Sequence, residues 1–295
     1  MIDLHMHSLF SDGVLSPEDL MSKIAEKKLT AVALTDHDSV LGCDRFAKAG
    51  EKYNIMTMHG SECSVDYPKV SMEIVALDIP ENNLQSFIEF QKNMTDERIR
   101  VAEERINLLE KVGIFVDRNE VFFNEEGRPR KQVGKPHIVA SMLKKGYIKN
   151  WDEGFDKYLN KGMPAYVPKK EPLFSDVITF ILDNGAVPIL AHPIHTKKVG
   201  NDLYELIKEL KSYGLKGIEV FHSDHSKELK EEYLEMIKDL NIISAGGSDY
   251  HGGAHPDVDV GCGKGNLRVP DLIFEVIKSR ENVSNGYYSE LLKFI

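Results

Sequence analysis

Ile2-Asp3-Leu4-His5-Met6-His7 is the stretch on which the reading of this chain turns. Side chains along a strand alternate between two faces, so Asp3, His5 and His7 share one face while Ile2, Leu4 and Met6 form the other. One face seeks a core, and the other offers two imidazoles able to grip a single cation. Taken alone, the pattern also fits an exposed sheet edge.

Further strand-like segments follow, and several end in a polar cluster: Ala31 to Asp38, Ile55 to Val65, Ser71 to Asp78, Ala186 to His192, Gly217 to His222 and Ile242 to His251. Helical patterns lie between them, such as Ser16 to Lys28, with its Ser-Pro-Glu start, and Asp202 to Tyr213. This alternation predicts an α/β protein with a mostly parallel sheet. Seven segments with polar ends favour a barrel, in which loops at the carboxyl ends of the strands share one face. A doubly wound sheet would gather its ligands at one switch point instead.

Between about Asn82 and Pro168 the alternation stops. A charged helix (Leu84 to Val112), a Gly/Pro/Arg loop (Gly127 to Gly134) and further helical pieces predict an inserted helical subdomain over residues 82–168, with residues 1–81 and 169–295 forming the barrel. The charge run Asp96 to Arg105 reads as a solvated helix face.

With 295 residues, 42% hydrophobic and 28% charged, the chain can bury a sizeable core. Its net charge of −10 argues against broad binding to long double-stranded nucleic acid, which needs a basic face, yet leaves room for small phosphorylated substrates. Cys43, Cys63 and Cys262 are too few and too scattered for a disulfide framework. With no signal peptide and no membrane-length apolar stretch, the expectation is a cytoplasmic protein without a membrane partner. The oligomeric state is not legible.

The polar clusters are Ser11-Asp12-Gly13, Thr35-Asp36-His37-Asp38, Gly60-Ser61-Glu62, Ala191-His192-Pro193 and Gly247-Ser248-Asp249-Tyr250-His251-Gly252. Mixed imidazole and carboxylate donors suit zinc, manganese or iron, and the lack of nearby cysteine argues against a structural zinc site. Clustered cations lower the pKa of bound water from about 15.7 toward 7 and clamp an in-line displacement, so no Ser or Cys nucleophile is required.

By these clusters, from Asp3 to His251, the chain resembles the PHP (polymerase and histidinol phosphatase) family of metal-dependent phosphoesterases, and above all its stand-alone members acting on nucleoside 3',5'-bisphosphates and short 5'-phosphorylated oligonucleotides. The resemblance implies a distorted seven-stranded β/α barrel with a helical insertion, two or three divalent ions (Mn²⁺, Fe²⁺ or Zn²⁺) and phosphoester hydrolysis. It further implies that His5, His7, Glu62 and Asp249 hold one metal, that Glu62 bridges to a second bound by His192, and that Asp12, His37 and His251 hold the third. Asp249 is then also a catalytic residue.

The chain departs from this pattern at Met72-Glu73-Ile74-Val75, where such proteins place a histidine. Glu73 is a candidate ligand of the second metal, one that favours manganese or iron(II); the plainer reading is that it merely neighbours a weakly filled or empty second site. Gly134-Lys135-Pro136-His137 resembles a Gly-Arg-Pro-His segment, which makes Lys135 and His137 candidates for gripping phosphate, and His137 for protonating the leaving oxygen. A helix-capping loop histidine is the plainer reading of His137. His222 and His225 close a segment that faces substrate in relatives, with His225 a candidate catalytic residue. His59, His195 and His255 have weaker claims. The Arg128 to Lys131 run reads as a solvated basic turn. Rival readings are histidinol-phosphate phosphatase, amide or ester hydrolysis, and a non-catalytic metal-binding or polymerase-associated module.

Overall fold

The computed structural model describes residues 1–68, 70–123, 129–130, 132–196, 198–253 and 255–295. Gly127, Arg128 and Lys131, which belong to the Gly/Pro/Arg loop and the basic run, lie outside the described residues.

Among the described residues, seven strands form one sheet in sequence order: β1 (Ile2–Asp3), β2 (Ala31–Leu34), β3 (Met56–Tyr67), β4 (Val70–Leu77), β5 (Val187–Leu190), β6 (Gly217–His222) and β7 (Ile243–Gly247). The barrel nearly closes where the segments following β1 and β7 meet. There Leu4 N donates to Gly246 O at 3.2 Å, Asp249 N to His5 O at 2.9 Å and His7 N to Tyr250 O at 2.9 Å. β2, β5 and β6 are buried along their whole lengths, as parallel strands covered on both faces must be.

The sheet departs from the parallel expectation at β4, which runs antiparallel to both β3 and β5. The short link from Tyr67 to Val70 can only reverse the chain, because a parallel return needs a crossover of roughly a dozen residues or more. β1 is also shorter than the alternating pattern predicts. It pairs with β2 only at Ile2 and Asp3, so His5 and His7 project from backbone just past that ladder.

Helices α1 (Pro17–Glu26) and α2 (Cys43–Tyr53) follow the first two strands. Ser16 caps α1, its hydroxyl accepting from Asp19 N at 3.1 Å, with Pro17 at the first helical position. The long α3 (Leu84–Lys111) serves two cores. Leu84 and Phe87 join the apolar core of the barrel, whereas Ala102, Ile106 and Leu109 join a second cluster with Val121, Ile138, Met142 and Leu159. That second core is completed by α4 (Arg118–Phe122), α5 (Lys135–Lys144), α6 (Trp151–Gly154) and a π-helical turn, Phe155–Leu159.

The charge run on α3 is only partly solvated. Arg100 pairs with Glu97 and Glu104 in water, but Arg98 and Arg105 turn inward. Ten residues span almost three helical turns, so a run of that length reaches every face. No helix among the described residues is long and apolar enough to cross a membrane.

Candidate metal centre

All nine ligand candidates converge at one mouth of the barrel. His5 and His7 follow β1, His37 follows β2, His192 follows β5, and Asp249 and His251 follow β7. Asp12 comes from the loop before α1, while Glu62 lies within β3. Glu73 reaches the same place because antiparallel β4 sets it opposite Ser64, two residues past Glu62.

The tightest group is His5, His7, Glu62 and Asp249. Glu62 Oε2 lies 3.2 Å from His5 Nε2 and 3.3 Å from His7 Nε2, and Asp249 Oδ1 lies 3.5 and 3.2 Å from the same two nitrogens. These four atoms are buried without a hydrogen-bond partner among the described residues. Four bare electron-pair donors aimed at one point would be costly unless something electropositive met them, and a divalent cation fits that demand and this donor set.

A second group collects around the other oxygen of Glu62. Oε1 is 2.8 Å from His192 Nε2, which is 3.6 Å from Glu73 Oε2. Burial and the nearby Glu62 push the Glu73 carboxyl up to about 8, the response expected of two carboxylates sharing one pocket. The third group is Asp12, His37 and His251, joined by His7, with His251 Nε2 3.3 Å from Asp12 Oδ1. Here the geometry is less partitioned than the resemblance implies. His37 turns Nε2 to Asp12 at 3.8 Å but Nδ1 to Glu62 at 3.0 Å and Glu73 at 3.4 Å, so it stands between the second and third groups.

Two of the ligand candidates occupy strained backbone, His192 at φ 21° and Asp249 at φ 57°. A non-glycine residue holds such a conformation only where its surroundings enforce it. Part of that enforcement comes from carboxylates whose role the sequence did not disclose. Asp3, on the same strand face as His5, accepts from the backbone N–H groups of Ser248 and Gly261, both at 2.8 Å. Asp36 accepts from Ser8 N at 2.8 Å and from the Ser11 hydroxyl at 2.6 Å. Both are scaffold groups for the ligand-bearing loops.

The groups open into a cavity of about 270 Å³, walled on one side by Pro136 and Phe155 of the 82–168 region and on others by His195 and His255. His195 and His255 thus come closer to the centre than their sequence context suggested. His195 is half-exposed, its Nε2 3.1 Å from Asp224 Oδ2.

The substrate candidates fare unevenly. His222 faces a metal-ligand candidate: its Nδ1 accepts from Asp224 N at 3.2 Å, and its Nε2 lies 3.6 Å from Asp249 Oδ2. His225 lies deeper than the residues that line the cavity. Its Nδ1 bonds Val220 O at 2.9 Å, which folds the ring under β6 against Tyr233, fully buried, and burial pushes its imidazole down to about 3. His137 caps α5, Nδ1 accepting from Gly134 N at 3.1 Å, and burial beside Arg130 pushes it down to about 4, so its ring is neutral near pH 7.

Lys135 belongs to a cationic group. Burial, with Arg105 and Lys169 nearby, pushes its ammonium down to about 8. Arg105 is buried, its terminal nitrogen donating to Val167 O at 3.2 Å and its Nε without a partner. It pairs with no carboxylate among the described residues. Arg98 and Lys169 converge on Asp38 and on Ser64, which lies two residues past Glu62 and opposite Glu73.

The PHP domain family model matches residues 3–115. The chain is 29% identical over 266 residues, 88% of its length, to a 3',5'-nucleoside bisphosphate phosphatase of Chromobacterium violaceum, covering 90% of that protein. It is 27% identical over 251 residues, 84% of its length, to a 5'-3' exoribonuclease of Haemophilus influenzae, covering 89% of it. A solved structure from Chromobacterium violaceum, described as an amidohydrolase with bound sulfate and no metal, superposes with a TM-score of 0.84 at 25% identity over 97% of this chain and 99% of that one.

Proposed function

Starting from a chain that is a metal-dependent phosphoesterase of the PHP family, we propose that it removes the 3'-phosphate from nucleoside 3',5'-bisphosphates or the 5'-end nucleotide from short 5'-phosphorylated oligonucleotides. The observation that carries this choice is the partly buried cationic group Arg98, Lys135 and Lys169, with Arg105 buried among them, beside the ligand cluster. Asp38 pairs with Arg98 and Glu171 with Lys169, whereas Arg105 and Lys135 pair with no carboxylate among the described residues, and that remaining positive charge calls for an anion from outside. A substrate with a second phosphate answers that need, with one phosphate at the ligand cluster and the other on Arg105 and Lys135.

In this proposal His5, His7, Glu62 and Asp249 hold one divalent ion, Glu62, Glu73 and His192 a second, and Asp12, His37 and His251 a third, drawn from Mn²⁺, Fe²⁺ or Zn²⁺. When bound, such ions neutralise phosphoryl oxygens and make water a nucleophile near neutral pH. The chain's own groups do the rest. Asp249 accepts a proton from the attacking water and returns it to the departing sugar oxygen, while His222 Nε2 faces its outer oxygen from 3.6 Å. His137, whose Nδ1 is occupied as an acceptor, carries its proton on Nε2 and offers it to a phosphate oxygen. The 82–168 region, an insertion in the barrel, supplies Pro136 and Phe155 as the wall that limits substrate length. Free cysteines, two of them buried, fit a reducing cytoplasm.

The test is turnover of adenosine 3',5'-bisphosphate, adenosine 3'-monophosphate, a short 5'-phosphorylated RNA and histidinol phosphate by Mn²⁺-supplemented protein. The bisphosphate should exceed the monophosphate in kcat/KM by roughly a hundredfold, the scale of an interaction worth about 2–3 kcal/mol. Asp249→Ala should remove turnover and bound metal together. Preference for histidinol phosphate, or equal use of both nucleotides, would refute the substrate assignment.

A further inference from the structure

We infer that Glu219 is a positioning residue that couples two halves of the metal centre, its two carboxylate oxygens each holding a ligand of a different ion. Glu219 sits on β6 in the otherwise apolar run Gly217-Ile218-Glu219-Val220-Phe221 and is 2% exposed. Oε1 lies 2.7 Å from His5 Nδ1, and Oε2 accepts from the backbone N–H of His192 at 2.7 Å. His5 belongs to the group around Glu62 Oε2 and His192 to the group around Glu62 Oε1. Glu219 and Glu62 therefore bracket both groups, Glu62 from the cavity side and Glu219 from the barrel interior.

Each contact does something chemical. Taking the proton of His5 on Nδ1 fixes the tautomer that leaves Nε2, the nitrogen facing Glu62 and Asp249, bare for a cation. Taking the N–H of His192 holds the peptide at φ 21°, a conformation the chain would otherwise leave, and so aims the imidazole at Glu62 and Glu73. Both partners are donors, and only a carboxylate can accept from both at once. A glutamine of the same shape carries one acceptor oxygen and one NH₂ group, so it must set a donor against either His5 or His192. The consequence is a coupling: loss of Glu219 weakens both groups together, whereas loss of Glu73 weakens only the His192 group.

This inference rests on the ligand sets proposed above, and its test separates the two. Protein stripped of metal by chelation is titrated with Mn²⁺ by calorimetry, comparing wild type, Glu219→Gln and Glu73→Ala, each checked for folding by thermal melting. Glu219→Gln should weaken at least two classes of Mn²⁺ site by about 10–100-fold, while Glu73→Ala should weaken one. Wild type that binds no Mn²⁺ would refute the ligand sets themselves. Unchanged binding in Glu219→Gln, or a loss confined to one class, would overturn the coupling. Nitrogen-15 NMR of the histidines in metal-free wild type, read at a pH high enough for His5 to carry a single ring proton, gives a reading that needs no variant to fold: a His5 ring protonated at Nδ1 and bare at Nε2 supports the clamp, and the opposite tautomer overturns it.

Discussion

Arg98 of α3 and Asp38 of the loop after β2 form a buried ion pair, Nε and one terminal nitrogen lying 2.7 and 2.6 Å from the same carboxylate oxygen. The pair ties the 82–168 region to the barrel one residue from His37. Asp38 sits at φ 47° and also accepts from Ser64 N at 2.8 Å, so the loop carrying His37 is fixed from two directions.

Arg98→Met leaves the buried Asp38 carboxylate with only Lys169, 4.0 Å away, as a cationic neighbour, a loss of about 3 kcal/mol, the low end of the range for breaking a buried pair. Denaturant unfolding of metal-free protein should show it. Asp38→Asn keeps a residue tolerant of positive φ and removes the orphan charge. The double variant should therefore recover part of the loss, and a purely additive result would show that the two groups do not interact.

Lys135 supplies a pH dependence. Its folded-state pKa, pushed down to about 8 by burial with Arg105 and Lys169, lies below the roughly 10.4 of an unfolded lysine. The ammonium is therefore a cost to the folded chain below pH 8, and that cost is relieved as pH rises through 8 toward 10.4. Phosphate affinity runs the other way: it is held below pH 8 and fades above it. Product binding by adenosine 5'-monophosphate, measured by calorimetry from pH 6.5 to 9.5, should weaken above about pH 8, and Lys135→Met should flatten that profile.

The convergence of the ligand candidates was legible because strands of an α/β barrel deliver polar residues to one mouth, so His5, His37, His192 and Asp249 stand out as polar ends of apolar runs. The partitioning of His37 was not, since which ring nitrogen faces which carboxylate depends on distances no spacing encodes. The burial of His225 was not legible for a related reason: a histidine just past a strand end can fold back under its strand, as the Val220 contact makes this one do. Glu219 did leave a signal, a lone carboxylate inside a buried apolar strand, which needs a partner wherever it occurs. Arg98 and Arg105 were hidden among exposed neighbours of the same charge run.

Glu73 should set metal preference. It is a hard oxygen donor 3.6 Å from His192 Nε2 and 3.4 Å from His37 Nδ1. Glu73→His softens the donor set and should shift competition between Mn²⁺ and Zn²⁺ toward zinc by tenfold or more, about 1.4 kcal/mol. Elemental analysis after dialysis against equal concentrations of both ions measures it. An unchanged ratio would place Glu73 outside the coordination.

Gly247 sets the final prediction, because it lies where the barrel closes and two residues before Asp249. A Cβ there would stand 2.3 Å from His5 N and 2.4 Å from His5 Cβ, closer than any real contact, and the obstruction is backbone that cannot swing aside. Gly247→Ala must push the segment after β1 away from β7, stretching the bond from Asp249 N to His5 O. Overpacking of this kind costs about 1–3 kcal/mol, and more where backbone must move. The same displacement separates His5 Nε2 from Asp249 Oδ1, so Mn²⁺ affinity should fall at least tenfold in a variant that still melts cooperatively. Should Gly247→Ala lose stability yet bind Mn²⁺ like the wild type, the closing segments would not be what sets the spacing of His5 and Asp249.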